Sequence, residues 1–165
     1  MKRTPLQRKT PLTAKKPLRS SKRPLRAKKA TKTTKRTRKK KSELQKLKIK
    51  LWELCKNIIR TKYGNTCYTC GKQGLEGSNW HTGHFISSSI CSTELHYDLN
   101  NLRPQCYNCN INKSGNWLAY EQNLLKDKID IQELKDKNEA TKGQMYREDW
   151  YKEKIEEYKN ILNNL

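Results

Sequence analysis

Two Cys-x-x-Cys pairs limit what this chain can become: Cys67-Tyr68-Thr69-Cys70 and Cys106-Tyr107-Asn108-Cys109. Each pair forms a tight knuckle, and four thiolates brought together close a tetrahedron about 2.3 Å from a zinc ion. The pairs are separated by 35 residues, more than the roughly 15–20 of a simple zinc ribbon. The gap therefore carries structure of its own, and it contains Trp80-His81-Thr82-Gly83-His84-Phe85. A disulfide framework is the rival use of six cysteines. The basic N-terminus has no apolar stretch behind it, so a secretory signal is not expected, and metal in a reducing compartment fits better. Cys55 reads as a small buried side chain and Cys91 as a free thiol.

Composition supports a metal anchor and a polyanionic partner. Of 165 residues, 33% are hydrophobic and 32% charged, thin material for an unaided core. Structural zinc can add on the order of 10–16 kcal/mol of apparent binding energy to folding. The formal net charge of +21 makes nucleic acid the expected partner. No apolar run approaches the ~20 residues of a membrane span.

Along the chain four parts are expected. Residues 1–41 lack Asp and Glu and repeat a Pro-Leu step at Pro5, Pro11, Pro17 and Pro24. They read as a disordered basic arm that wraps phosphates, with Lys28, Lys29, Arg36, Arg38, Lys39, Lys40 and Lys41 as contacts. Residues 42–64 read as an amphipathic helix: Ser42-x-x-Gln45 is a capping box, and Leu44, Leu47, Leu51, Leu54, Ile58 and Ile59 recur at helical spacing up to Gly64. Residues 65–126 form the zinc-bound core. Within it a strand is expected over Asn79–Ile86, a second over Glu94–Tyr97, a short helix from Tyr107, a break at Ser114-Gly115, and a helix over Trp117–Lys126. Residues 127–165 supply C-terminal helices, one capped by Asp130 and running to Lys137, the other from Gln144 to Asn160. Tyr151, Ile155, Tyr158 and Leu162 share a face of that last helix, which could dock inward or mediate a homodimer. Trp80 and Trp117 read as core residues. The fold class is α+β.

The order of residues then becomes informative. A histidine near the end of a first strand, followed by Asn-Leu-x-x-x-Cys-x-x-Cys-Asn-x-x-Lys, resembles the HNH (ββα-metal) nucleases. More narrowly, Gly-His-Phe-Ile-Ser, Asn-Leu-x-x-Gln-Cys-x-x-Cys-Asn and Ser-Gly-Asn look like the NinG/Rap recombination proteins of lambda-like bacteriophages, and the Arg-Thr-Pro-Leu opening fits that group. The resemblance is densest from Cys67 to Tyr120. It implies a metal-dependent endodeoxyribonuclease acting on branched recombination intermediates such as D-loops and Holliday junctions, phage-encoded and at work in the bacterial cytoplasm. It also implies a small zinc-stapled ββα-metal core.

Phosphodiester hydrolysis needs a base for water, neutralisation of charge on phosphorus and stabilisation of the leaving oxygen. A neutral imidazole serves the first and one divalent cation the other two. On the resemblance His84 is the base, Asn101 orients it or the hairpin loop, and Asn110 offers an oxygen to the catalytic ion. An amide oxygen suits magnesium or manganese better than zinc. Many HNH enzymes carry a second metal ligand immediately before the base, and here that place is Gly83. His81 is the replacement expected first, with a bulge needed to bring it beside His84; Asp98 and His96 follow. Arg103 and Lys113 are candidate phosphate contacts. The competing reading is a non-catalytic zinc protein that binds DNA or RNA, which would have no use for His84, Asn101 or Asn110.

Overall fold

A computed structural model describes residues 41–165, and the arm residues Lys28, Lys29, Arg36, Arg38, Lys39 and Lys40 lie outside them. The described residues open with helix α1 (Glu43–Tyr63). Its N-terminus is the expected capping box: the Gln45 N–H donates to the Ser42 hydroxyl, and the Ser42 N–H donates to the Gln45 side chain. Gly64 ends it at φ +65°, backbone that other residues rarely adopt.

Strand β1 (Trp80–His84) pairs antiparallel with β2 (Leu102–Cys106), with His81 opposite Gln105 and Gly83 opposite Arg103. The expected strand at Glu94–Tyr97 is instead helix α2 (Thr93–Tyr97). The reason is local. The Ser92 hydroxyl accepts from the Leu95 N–H and caps a helical turn, while the sequence that pairs with β1 comes a few residues later. After β2 the chain makes a π-helical turn (Asn108–Asn112), then α3 (Trp117–Lys126), α4 (Ile131–Thr141) and α5 (Glu148–Asn163). Helix α4 runs past Lys137 because the buried Asn138 accepts from the Ser92 N–H at 2.7 Å, and the Thr141 hydroxyl donates to Ser92 Oγ at 2.7 Å. Helix α5 starts later than the apolar pattern suggests, with Arg147 at its N-cap.

Three apolar clusters hold these elements. Leu51, Cys55, Ile58 and Ile59 of α1 pack on Tyr151, Ile155 and Tyr158 of α5, with Tyr97 and Leu102 below. The apolar stripe of α5 is thus spent inward on α1. Phe85, Leu95, Tyr120, Leu124, Ile131 and Leu134 form a second cluster, and the knuckle cysteines pack with Leu75 and Trp80 in a third. Cys55 is fully buried, its thiol 3.6 Å from the Tyr97 carbonyl. No helix among the described residues is long and apolar enough to cross a membrane.

Candidate functional site

The sulfurs of Cys67, Cys70, Cys106 and Cys109 all lie within 4.8 Å of one another. Tetrahedral zinc at about 2.3 Å from each sulfur would set them roughly 3.8 Å apart, and Cys70 Sγ is 3.9 Å from Cys106 Sγ. Backbone N–H groups point at the cluster: Cys106 N–H at Cys67 Sγ (3.3 Å) and Cys109 N–H at Cys106 Sγ (3.4 Å). Burial alone would raise the Cys67 thiol. The Thr69 hydroxyl and the N–H groups of Cys106, Cys70 and Thr69 outweigh it and draw the value down to about 6. Burial pushes Cys70 up to about 12, and its sulfur neighbours add to that. Such crowding of sulfurs is relieved when a doubly charged ion shares them. The donor set fits a structural metal such as zinc.

Beside this cluster β1 delivers His84 to a cleft of about 410 Å³, which is also lined by Trp52, Thr82, His96 and Asn110. Among the described residues no carboxylate lines it. His84 packs against both Trp52 of α1 (centroids 5.3 Å, 10° between planes) and His96 of α2 (4.6 Å, 29°), and those two rings are themselves 5.1 Å apart, so the three form one cluster. Its Nε2 is 3.1 Å from the His96 carbonyl. A carbonyl only accepts, so Nε2 carries the proton and Nδ1 keeps its lone pair. Burial, with help from His96 and against the carbonyl contact, holds His84 down at about 4. The ring is therefore neutral near neutral pH.

Asn101 is fully buried. Its Oδ1 accepts from the Ile86 N–H at 2.7 Å, and its Nδ2 donates to the carbonyls of Ile86 and Leu95, both at 3.2 Å. It pins the loop that follows His84 and leaves the ring itself untouched. Tyr120, beneath, donates to the carbonyls of Gly83 and Asn101.

His81 departs from its expected role as metal ligand. Its Nε2 donates to the Ser78 carbonyl at 2.8 Å, and its Nδ1 lies 2.9 Å from Asn110 Nδ2, from which it accepts. Both nitrogens are engaged, so His81 orients Asn110 and has no lone pair for an ion. Asp98 is likewise committed, to Lys137 at 2.6 Å and to the Asn100 N–H.

Arg103 is also corrected, from phosphate contact to internal strut. It is only 1% exposed. Its guanidinium lies over Tyr63 (4.7 Å) and Tyr68 (5.2 Å), and Nη1 donates to the carbonyls of Leu99, Asn100 and Leu102. Lys113 and Lys41 are exposed. Trp80 packs as expected, under the Arg60 guanidinium at 4.7 Å and against the cysteine cluster. Trp117 does not: it is 53% exposed, parallel to Phe85. Cys91 is half-buried and unbridged.

Sequence reasoning missed Trp52 and Gln105. Nothing marks Trp52 among the apolar residues of α1. Gln105 did carry a signal, as the one polar residue of the Leu102–Cys106 strand besides Arg103 and the fixed letter before the second cysteine pair.

These features define a class: a four-cysteine, metal-knuckle protein with a histidine–carboxamide cleft against its two-stranded sheet. The chain matches the family model described as "Bacteriophage Lambda NinG protein" over residues 2–165, and it belongs to that family. Curated relatives called "Protein ninG" from Escherichia phage 933W and Salmonella phage P22 are each 34% identical to it over 59 residues, 36% of this chain and 28% of theirs. The aligned stretch thus spans little more than a quarter of those relatives. No solved structure matches the chain.

Proposed function

We propose that this chain is a divalent-cation-dependent DNA endonuclease of the HNH (ββα-metal) type, acting on branched recombination intermediates of a phage in its host cytoplasm. The observation that carries the reading is that His84 and Asn110 line one cleft, with His84 Nδ1 free to take a proton. The order of parts agrees with it: a strand ending in His84, an antiparallel partner, and a helical turn carrying Asn110, all beside four sulfurs. The branch preference comes from the family resemblance alone.

His84 accepts a proton from water at Nδ1 while the His96 carbonyl keeps Nε2 protonated and the ring fixed. Trp52 and His96 both pack against the imidazole and restrict its rotation. Asn110, aligned by His81, would offer its amide oxygen to a divalent ion. A bound magnesium or manganese ion would supply charge neutralisation at phosphorus and at the departing oxygen. Lys113, Lys41 and the basic arm add affinity for the phosphate backbone through counterion release.

The test is a nicking assay on supercoiled plasmid and a synthetic four-way junction with magnesium or manganese, alongside His84→Ala. Cleavage by the natural protein, lost in His84→Ala with DNA binding kept, supports the reading. Tight binding without cleavage under either ion overturns it and leaves a zinc-containing DNA- or RNA-binding protein. Removing residues 1–41 is expected to weaken binding and flatten its salt dependence. An unchanged salt slope would deny the arm that role.

A further inference from the structure

Trp117 opens α3 with its ring 53% exposed, unusual for so large an apolar side chain. With Phe85, Ile86 and Ile90 it walls a recess of about 590 Å³. Ile90 is exposed as well, at 63%. The indole is backed on its inner side by order: it lies 12° from parallel with Phe85 at 6.4 Å, and Phe85 is itself buried against Tyr120 at 5.4 Å. The chain turns sharply to deliver it, since Ser114, Gly115 and Asn116 all hold positive φ just before α3. Two of those three are not glycine and adopt that backbone at a cost. The recess borders the cleft of His84, because Phe85, Ser87 and Ser114 line both. Its charged groups are Lys135, which is exposed, and Glu139. Glu139 is already engaged, by Lys142 at 3.4 Å and by the Asn138 amide at 3.3 Å.

We propose that this recess receives an unpaired nucleobase of bound DNA, with Trp117 as its stacking platform. The proposal rests on the DNA-binding half of the reading above. Phosphate has no use for an apolar wall; a flat ring with polar edges does. Its face covers the indole, while the hydroxyls of Ser87 and Ser114 and the Lys135 ammonium on the rim suit its edges. Such stacking tolerates any sequence, since every base has a π-face. The net charge of +21 draws a polyanion to this surface and repels a second copy of the same chain. The wall shared with the cleft places the captured base beside His84. Inside an intact duplex both faces of each base are covered by its neighbours, so the recess engages only bases freed at a branch, a flap or a displaced strand. Trp117 thereby gives the protein a physical means of preferring branched DNA to plain duplex.

The experiment uses full-length, zinc-loaded protein without added magnesium or manganese, so that DNA is not consumed. Fluorescence anisotropy gives its affinity for a single-stranded oligothymidylate and for a duplex of equal length. Trp117→Ala is expected to weaken single-strand binding ~10-fold or more and duplex binding less than ~2-fold, and Trp117→Tyr to restore most of the loss. The salt slope should stay as it was, because no charge is removed. Equal effects on both DNAs, or none on either, would overturn the assignment. So would a Trp117→Ala protein that differs only in sedimenting as a smaller species, which would make the recess a contact between copies. A second measurement needs no variant. One thymine is replaced by 5-iodouracil, the complex is irradiated, and the cross-linked peptide is sequenced. A cross-link on the peptide bearing Trp117 supports the site, and cross-links confined to other peptides refute it. The two readings fail separately. Trp117-dependent single-strand binding in a protein that never cuts DNA sinks the nuclease reading, whereas His84-dependent cutting with Trp117-independent binding sinks only the base site.

Discussion

Replacing Arg103 by Met separates a strut from a phosphate contact. The methionine keeps most of the stem volume and removes the guanidinium. Three carbonyls lose a charged donor, at 2.7 Å (Leu102), 3.1 Å (Leu99) and 3.4 Å (Asn100). At roughly 1–2 kcal/mol for each of the two shorter bonds, and about 0.5–1 kcal/mol for each of the two tyrosine faces, the gross loss is about 3–6 kcal/mol. Relief of the buried charge returns part of that, since Asp127 stands 3.8 Å from Nε and Nε has no hydrogen-bond partner. The net expectation is about 3 kcal/mol, or roughly 10 °C in melting temperature for a domain of this size. The assay is a thermal melt of zinc-loaded protein, paired with junction binding at low salt and well below the melt. DNA affinity should stay within about two-fold of the natural protein, because a residue this buried cannot touch phosphate. A normal melt with weakened DNA binding would refute the reasoning and restore Arg103 to the surface role its charge suggests.

Other perturbations address the rest of the site. Cys106→Ser, or a strong chelator, should cost several kcal/mol and unfold the core near body temperature; an unaltered calorimetric transition would remove the metal from the folding problem. His84 is neutral in the fold with a value of about 4, below the ~6.5 of an unfolded chain. The unfolded state therefore takes up the proton first as pH falls through that window, and stability declines with it. Urea titrations at about pH 7 and about pH 5 should show the natural protein losing roughly 2 kcal/mol more than His84→Phe, which keeps the stack; equal losses would contradict the buried, neutral ring. Asn101→Ala strips partners from the Ile86 N–H and two carbonyls and should destabilise by about 2–4 kcal/mol. Hydrogen exchange at the Ile86 amide reads this directly, and unchanged protection there would falsify the pinning role.

What could be read from the residues alone was local or motif-borne. The capping box of α1, the strand ending at His84 and the four sulfurs all follow from short spacings. What could not be read depends on partners far along the chain. Arg103 looks like a surface cation until Tyr63 and Tyr68, some forty residues upstream, close over it. His81 looks like a ligand until Ser78 and Asn110 occupy both of its nitrogens. Strand character at Glu94–Tyr97 rested on composition, and a single serine cap outweighed it. Gln105 was visible as a letter of a motif, but no short spacing shows that its side chain is buried and lies against Gly83 of the neighbouring strand.

Trp52 carries a practical corollary. The ring that packs parallel to His84 comes from a helix preceding the first cysteine of the knuckles, and that helix is held in turn by Tyr151, Ile155 and Tyr158 near the other end of the chain. A fragment trimmed to the knuckles and the strands between them would keep its sulfurs yet leave the imidazole open to water on one side. The shortest piece able to hold an intact cleft starts at Ser42 and reaches past Tyr158.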